Sequence, residues 1–161
     1  MLADVLGALQ DVALVEALRR SRWVYPLVNA GHIVGLALLF GAVVPLDLRL
    51  VGLWQRVPIG TMARTLLPVA LGGLALAVAT GALLFSVSAV RYAGLTLFQI
   101  KLLLILGALA NALLLHGSAA WGAYHHGELM GTTPRLQLAG VLSLGLWLST
   151  IVAGRMLGYL D

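Results

Sequence analysis

The chain has 161 residues, 61% of them hydrophobic and 10% charged, with a mean hydropathy of +1.01. A water-soluble domain of this length cannot hide that much apolar surface, because such domains run nearer half apolar and a quarter charged; lipid is the solvent that fits. Cysteine is absent, which excludes disulfides, thiolate metal sites and Cys nucleophiles, and the net charge of +4 comes from scattered cations rather than from a run that would grip nucleic acid.

The first twenty residues do not read as a cleavable signal peptide, because Asp4, Asp11 and Glu16 interrupt what should be a continuous apolar centre. They read as an amphipathic helix over residues 2–20. Leu2, Leu6, Leu9 and Ala13 fall on one side and Asp4 and Asp11 on another, and Arg19, Arg20 and Arg22 follow at headgroup level. Such a helix lies in the membrane interface. Four stretches of about 20 or more mainly apolar residues come next, each long enough to span a bilayer. They cover residues 23–46, 62–90, 95–121 and 134–160. The runs are continuous, without the period-two alternation of a barrel strand, so the spans are helices. The fold class is therefore all-α: an integral membrane four-helix bundle in one domain with an interfacial helix at its start.

The connections agree. Asp47, Arg49, Arg56 and Pro58 fall between the first two spans, residues 91–94 make a short turn, and His125, His126, Glu128 and Gly131 fall before the last span. Thr133 followed by Pro134 marks that span's capped start. Trp23, Tyr25, Tyr92 and Tyr159 belong to one membrane face (face A), and Trp54, Trp121 and Tyr124 to the other (face B), since Trp and Tyr prefer the interface levels. Face A collects Arg19, Arg20, Arg22, Arg91 and Arg155, against Arg49, Arg56, Arg64 and Arg135 on face B. The excess puts face A, and with it both termini, in the cytoplasm.

Ionisable side chains inside a membrane are costly and mark function. With a rise of about 1.5 Å per residue, His32 lies roughly 13 Å, Lys101 roughly 9 Å and Arg155 roughly 7 Å inside face A. Three cationic or potentially cationic groups thus share one level, with no carboxylate in the helices to match them. An anionic cofactor would be their partner. A b-type haem fits, with His32 as axial iron ligand, Lys101 and Arg155 near the propionates, and Gly31 and Gly35 leaving space beside the ring. The alternative is a buried His32 hydrogen-bonded to a neighbouring helix. His116 lies roughly 31 Å along the third span, near the level of Asp47. An Asp47–His116 hydrogen bond would orient the imidazole as a second haem ligand, or would be a structural pair. His32 and His116 differ in depth by roughly 18 Å, so they do not share one haem. A further ligand would come from water, Met156, His125, His126 or a partner subunit.

The segments Trp23-Val24-Tyr25-Pro26, His32-Ile33-Val34-Gly35 and Asp47-Leu48-Arg49-Leu50-Val51-Gly52, with Phe98-Gln99-Ile100-Lys101 followed by Asn111 and His116, resemble an uncharacterised bacterial family of four-helix membrane proteins. That resemblance covers nearly the whole chain and implies a fold. A looser similarity is to copper-resistance-D-like proteins and membrane protoporphyrinogen oxidases. It implies that His32 and Lys101 are tied to haem, with Arg49 matching an arginine at the far end of the first helix. Asp47 departs from the Pro-Arg pair of those proteins.

Three function classes follow. The first is a b-haem protein moving electrons between the quinone pool and a partner, or oxidising a porphyrin-like substrate. The second is a cofactor-free accessory subunit of a larger membrane complex or homo-oligomer, packed through its 19 glycines. The third is a small transporter or metal-ion protein using Asp47, His116 and the loop histidines, for which the helices carry little polar lining.

Overall fold

The computed structural model describes Val15, residues 21–125 and residues 131–159. The interfacial helix expected over residues 2–20 lies, apart from Val15, outside the described residues. Within them all regular structure is helical: α1 (Val24–Val51), α2 (Ile59–Val87), α3 (Ala89–Gly94), α4 (Thr96–His116), α5 (Ala119–His125) and α6 (Pro134–Leu157). α1, α2, α4 and α6, of 28, 29, 21 and 24 residues, are long and apolar enough to cross a membrane.

The first span runs past Leu46 to Val51, so Asp47 and Arg49 are helical rather than part of a connection. It ends in a Schellman arrangement. Gly52, at φ +121, donates to Arg49 O, and Leu53 donates to Leu48 O at 3.0 Å. Pro45 and Pro68 sit inside α1 and α2; transmembrane helices tolerate them because neighbouring groups take up the freed carbonyls. The third span breaks at Gly117 and Ser118, and α5 continues from there. α6 opens as expected, with Pro134 in its first turn and Thr133 Oγ1 accepting from the backbone N–H of Leu136.

The long helices form an up-down-up-down ring. α1 and α2 pack most closely, α6 lies against both α1 and α4, and α2 and α4 occupy the looser remaining side. Glycines set the close crossings. A Cβ on Gly35 would stand 2.7 Å from Ala77 N, and one on Gly73 would stand 2.5 Å from Leu39 N, so α1 and α2 touch backbone to backbone. Gly140 does the same for α6, where a Cβ would meet Asp47 O at 2.8 Å. Asn111 Nδ2 donates to Ala139 O at 2.9 Å and ties α4 to α6.

The interior is layered along the bundle axis. At face B, Leu46, Leu50, Ile59, Ala63, Leu115, Trp121 and Leu136 pack together. In the middle, Trp147 packs with Leu39, Ala42, Ala70 and Ala108. Towards face A the packed interior gives way to a cavity. The outside is apolar, with Leu113 and Leu114 on α4 more than two-thirds exposed, as suits a surface covered by lipid.

Candidate functional site

The cavity near face A has a volume of about 390 Å³, within the range of small-molecule sites, and every spanning helix contributes to its wall. His32 (α1), Lys101 (α4) and Arg155 (α6) all line it, so the three groups that share a level in the sequence share a space in the fold. No carboxylate is among its lining residues within the described part of the chain.

His32 is half-buried at the α1–α2 contact. Its Nδ1 lies 2.9 Å from Ala77 O and 3.1 Å from Thr80 Oγ1. The carbonyl can only accept, and the Thr80 hydroxyl spends its proton on Leu76 O at 2.6 Å. Nδ1 therefore carries the hydrogen, and Nε2 keeps a lone pair. Gly81 makes room for the ring, because a Cβ there would come within 3.0 Å of His32 Cε1.

Lys101 lays its stem across Gly154, whose missing Cβ would stand 3.4 Å from both Cε and Nζ. The ammonium makes no hydrogen bond or ion pair with another described residue, and it shares the cavity wall with His32. Arg155 is exposed at the face A end. Its Nη2 donates to Tyr159 Oη at 2.9 Å, and the guanidinium sits 4.7 Å from the Tyr159 ring centre. That contact, one turn apart on the same stretch of chain, holds the cation at the aromatic level. Phe85 and Phe98 stack at 5.1 Å and 8° and join α2 to α4, with Tyr92 tilted against Phe98 at 5.9 Å.

Other expected site residues lie elsewhere. Gly35 leaves no space beside a ligand; the α2 backbone fills the position where its side chain would be. His116 does not line the cavity. It is exposed near face B, its Nδ1 donates to Ala112 O at 2.7 Å, and its ring packs on Trp121 at 4.5 Å. The expected Asp47–His116 hydrogen bond is absent because α1 and α4 stand diagonally across the ring, with α6 between them. Asp47 is buried towards α6 beside Ser143, and its Oδ2 has no hydrogen-bond partner among the described residues. Arg49 is buried as well and does not reach the cavity. Its Nε donates to Val57 O at 2.7 Å and its Nη2 to Gln55 O at 3.2 Å, with Gly131 O 3.5 Å from Nη1. Met156 is exposed and off the cavity wall. The side chains of His125 and His126 lie outside the described residues, and among those described no three His, Asp or Glu side chains cluster to hold a metal ion.

Sequence reasoning missed Asn29, Thr80 and Gly154, and it read Gly81 only as one of several span glycines that let helices or a flat cofactor come close. Asn29, three residues before His32 on the same helix face, was open to the spacing rule. Thr80, Gly81 and Gly154 were not, since each matters only through a residue on another helix. No known protein family, curated protein or solved structure matches the chain.

Proposed function

We propose that the chain is a b-type haem-binding membrane protein, serving as an electron-transfer or redox subunit of a bacterial inner membrane that draws on the quinone pool or on a protein partner. The observation that carries this reading is His32. Its Nδ1–H is bound to a backbone carbonyl of the next helix, its Nε2 makes no hydrogen bond to another described residue, and the residue lines the cavity. Ligating histidines have that arrangement, with the second nitrogen anchored to fix tautomer and ring orientation. The donor set suits the rest of the group. One imidazole nitrogen would serve the iron, and two cations with no carboxylate beside them among the described lining residues would serve two propionates. Lys101 would hold one acid group inside the bundle and Arg155 the other at the aromatic level. His116 has no part in this reading, so one haem is proposed rather than two.

The test is a reduced-minus-oxidised spectrum of protein purified in mild detergent. A Soret band with a b-type α-band is expected, lost in His32→Ala and weakened in Lys101→Met. A colourless preparation from haem-replete cells overturns the proposal.

A different observation favours the accessory-subunit reading. Thr61, Thr65, Pro68, Gly72, Ala75, Ala79 and Ala82 are all exposed and follow alternating spacings of four and three along α2. Small residues in that register let another helix approach in lipid. A colourless protein that co-purifies with larger membrane subunits, and separates from them in Ala79→Leu, would support this second reading over the first.

A further inference from the structure

We infer that Ala77, Thr80 and Gly81 form a positioning socket for His32, in which the Ala77 carbonyl and the Thr80 hydroxyl oxygen together commit the imidazole to one tautomer and one orientation. The inference deepens the haem reading and rests on it only for what Nε2 binds.

The three residues stand at i, i+3 and i+4 on α2, which brings them to one face of the helix. Two of them meet Nδ1 and the third makes room at Cε1. The Ala77 carbonyl accepts from Nδ1–H at 2.9 Å. Thr80 Oγ1 lies 3.1 Å from the same hydrogen-bearing nitrogen. Gly81 vacates the space beside Cε1, where a Cβ would stand at 3.0 Å.

Thr80 itself has little freedom. Its hydroxyl proton is directed to Leu76 O at 2.6 Å, which turns an oxygen lone pair towards His32. Its methyl group fills the notch at Gly31, 3.3 Å from where a Cβ would be. A β-branched side chain tied at both branches keeps one rotamer. Nor can the socket drift from the ring, because Gly35 and Ala77 bring the two backbones into contact one turn away.

The chemical consequence lies in Nε2. With both acceptors at Nδ1, the Nε2–H tautomer would leave a carbonyl and a hydroxyl oxygen facing a bare lone pair. The Nδ1–H form leaves none, so Nε2 is held ready as a ligand or proton acceptor before anything arrives. A hydrogen bond from the distal nitrogen also makes the ligating one a stronger donor.

The experiment uses the full chain in detergent, free of haem, with ¹⁵N-labelled histidine at a pH where imidazole is neutral. Two-bond ¹H–¹⁵N correlation reads the tautomer, and the His32 signal is assigned by its loss in His32→Gln. The Nδ1–H form is expected in the wild type, a mixture in Thr80→Val, and the wild-type pattern in Thr80→Ser. In the loaded protein, Thr80→Val should weaken haem retention by about 10-fold, the lower end of what outer ligand partners contribute, and Thr80→Ser should restore it. An Nε2–H tautomer in the wild type overturns the socket without any variant. So does a Thr80→Val protein with unchanged tautomer. If the chain takes up no haem but the tautomer still responds to Thr80→Val, the socket stands and the haem reading fails.

Discussion

Lys101 carries a charge into the bundle because Gly154 gives its stem somewhere to lie. A half-buried ammonium without a partner among the described residues is a cost to the empty protein. The same ammonium becomes an asset once an anion arrives, so stability and binding should respond to Lys101 in opposite directions. Lys101→Met should raise the thermal stability of the ligand-free protein by on the order of 1 kcal/mol while lowering ligand retention. Thermal unfolding in detergent, with and without bound haem, checks both halves. A variant destabilised in the empty state would show that Lys101 serves packing instead. The residues the sequence singled out here, His32, Lys101 and Arg155, were legible because charge in an apolar run stands out. Their supports were not, because hydropathy assigns the same value to a glycine that faces lipid and to one that faces a histidine.

Among the helices, the contact between α1 and α2 makes the sharpest prediction. Gly72 and Gly73 are neighbours in sequence with opposite surroundings. A Cβ on Gly72 meets nothing within 4 Å, whereas one on Gly73 runs into backbone atoms of Leu39 and Gly35. Gly73→Ala should destabilise by about 1–3 kcal/mol, since the obstructing atoms are main chain and cannot rotate away. Gly72→Ala should be neutral or slightly stabilising, by up to about 1 kcal/mol of helix propensity. Urea or SDS titration of the two variants side by side checks the contrast. The spans themselves were legible from hydropathy alone, but their ends and facings were not. Asp47 and Arg49 read as a connection because two charges near a span's end usually mean water. Here Arg49 is buried against carbonyls six, eight and 82 residues away, which no local pattern reveals. His116 shows the other limit. Residue counting gives height along the axis and not the direction of the side chain, so Asp47 and His116 matched in level but not in facing.

At the scale of the whole molecule, four crossings return the chain to the face it left, so Arg22 and Tyr159 lie at one end of the bundle and Arg56 and Arg135 at the other. The chain has no cysteine, which makes single introduced thiols clean reporters. On the expectation that the arginine excess sets face A in the cytoplasm, an impermeant maleimide applied to intact cells should label Arg56→Cys and spare Arg22→Cys until the membrane is opened. The reverse pattern would invert the orientation. The distribution of packing also divides the molecule. The face B half and the middle hold its close-packed layers, while the face A half holds the cavity and the groups around it.

The closeness of α1 and α2 has a bearing on the order of assembly. These helices are consecutive, joined by a short loop gripped by Arg49, and touch without intervening side chains. The hairpin can therefore close while translation continues, with His32 already against Thr80. The opposite wall needs Thr150, Gly154 and Arg155, which emerge last. A nascent chain therefore has its imidazole set in one wall of the cavity before the facing wall has been made.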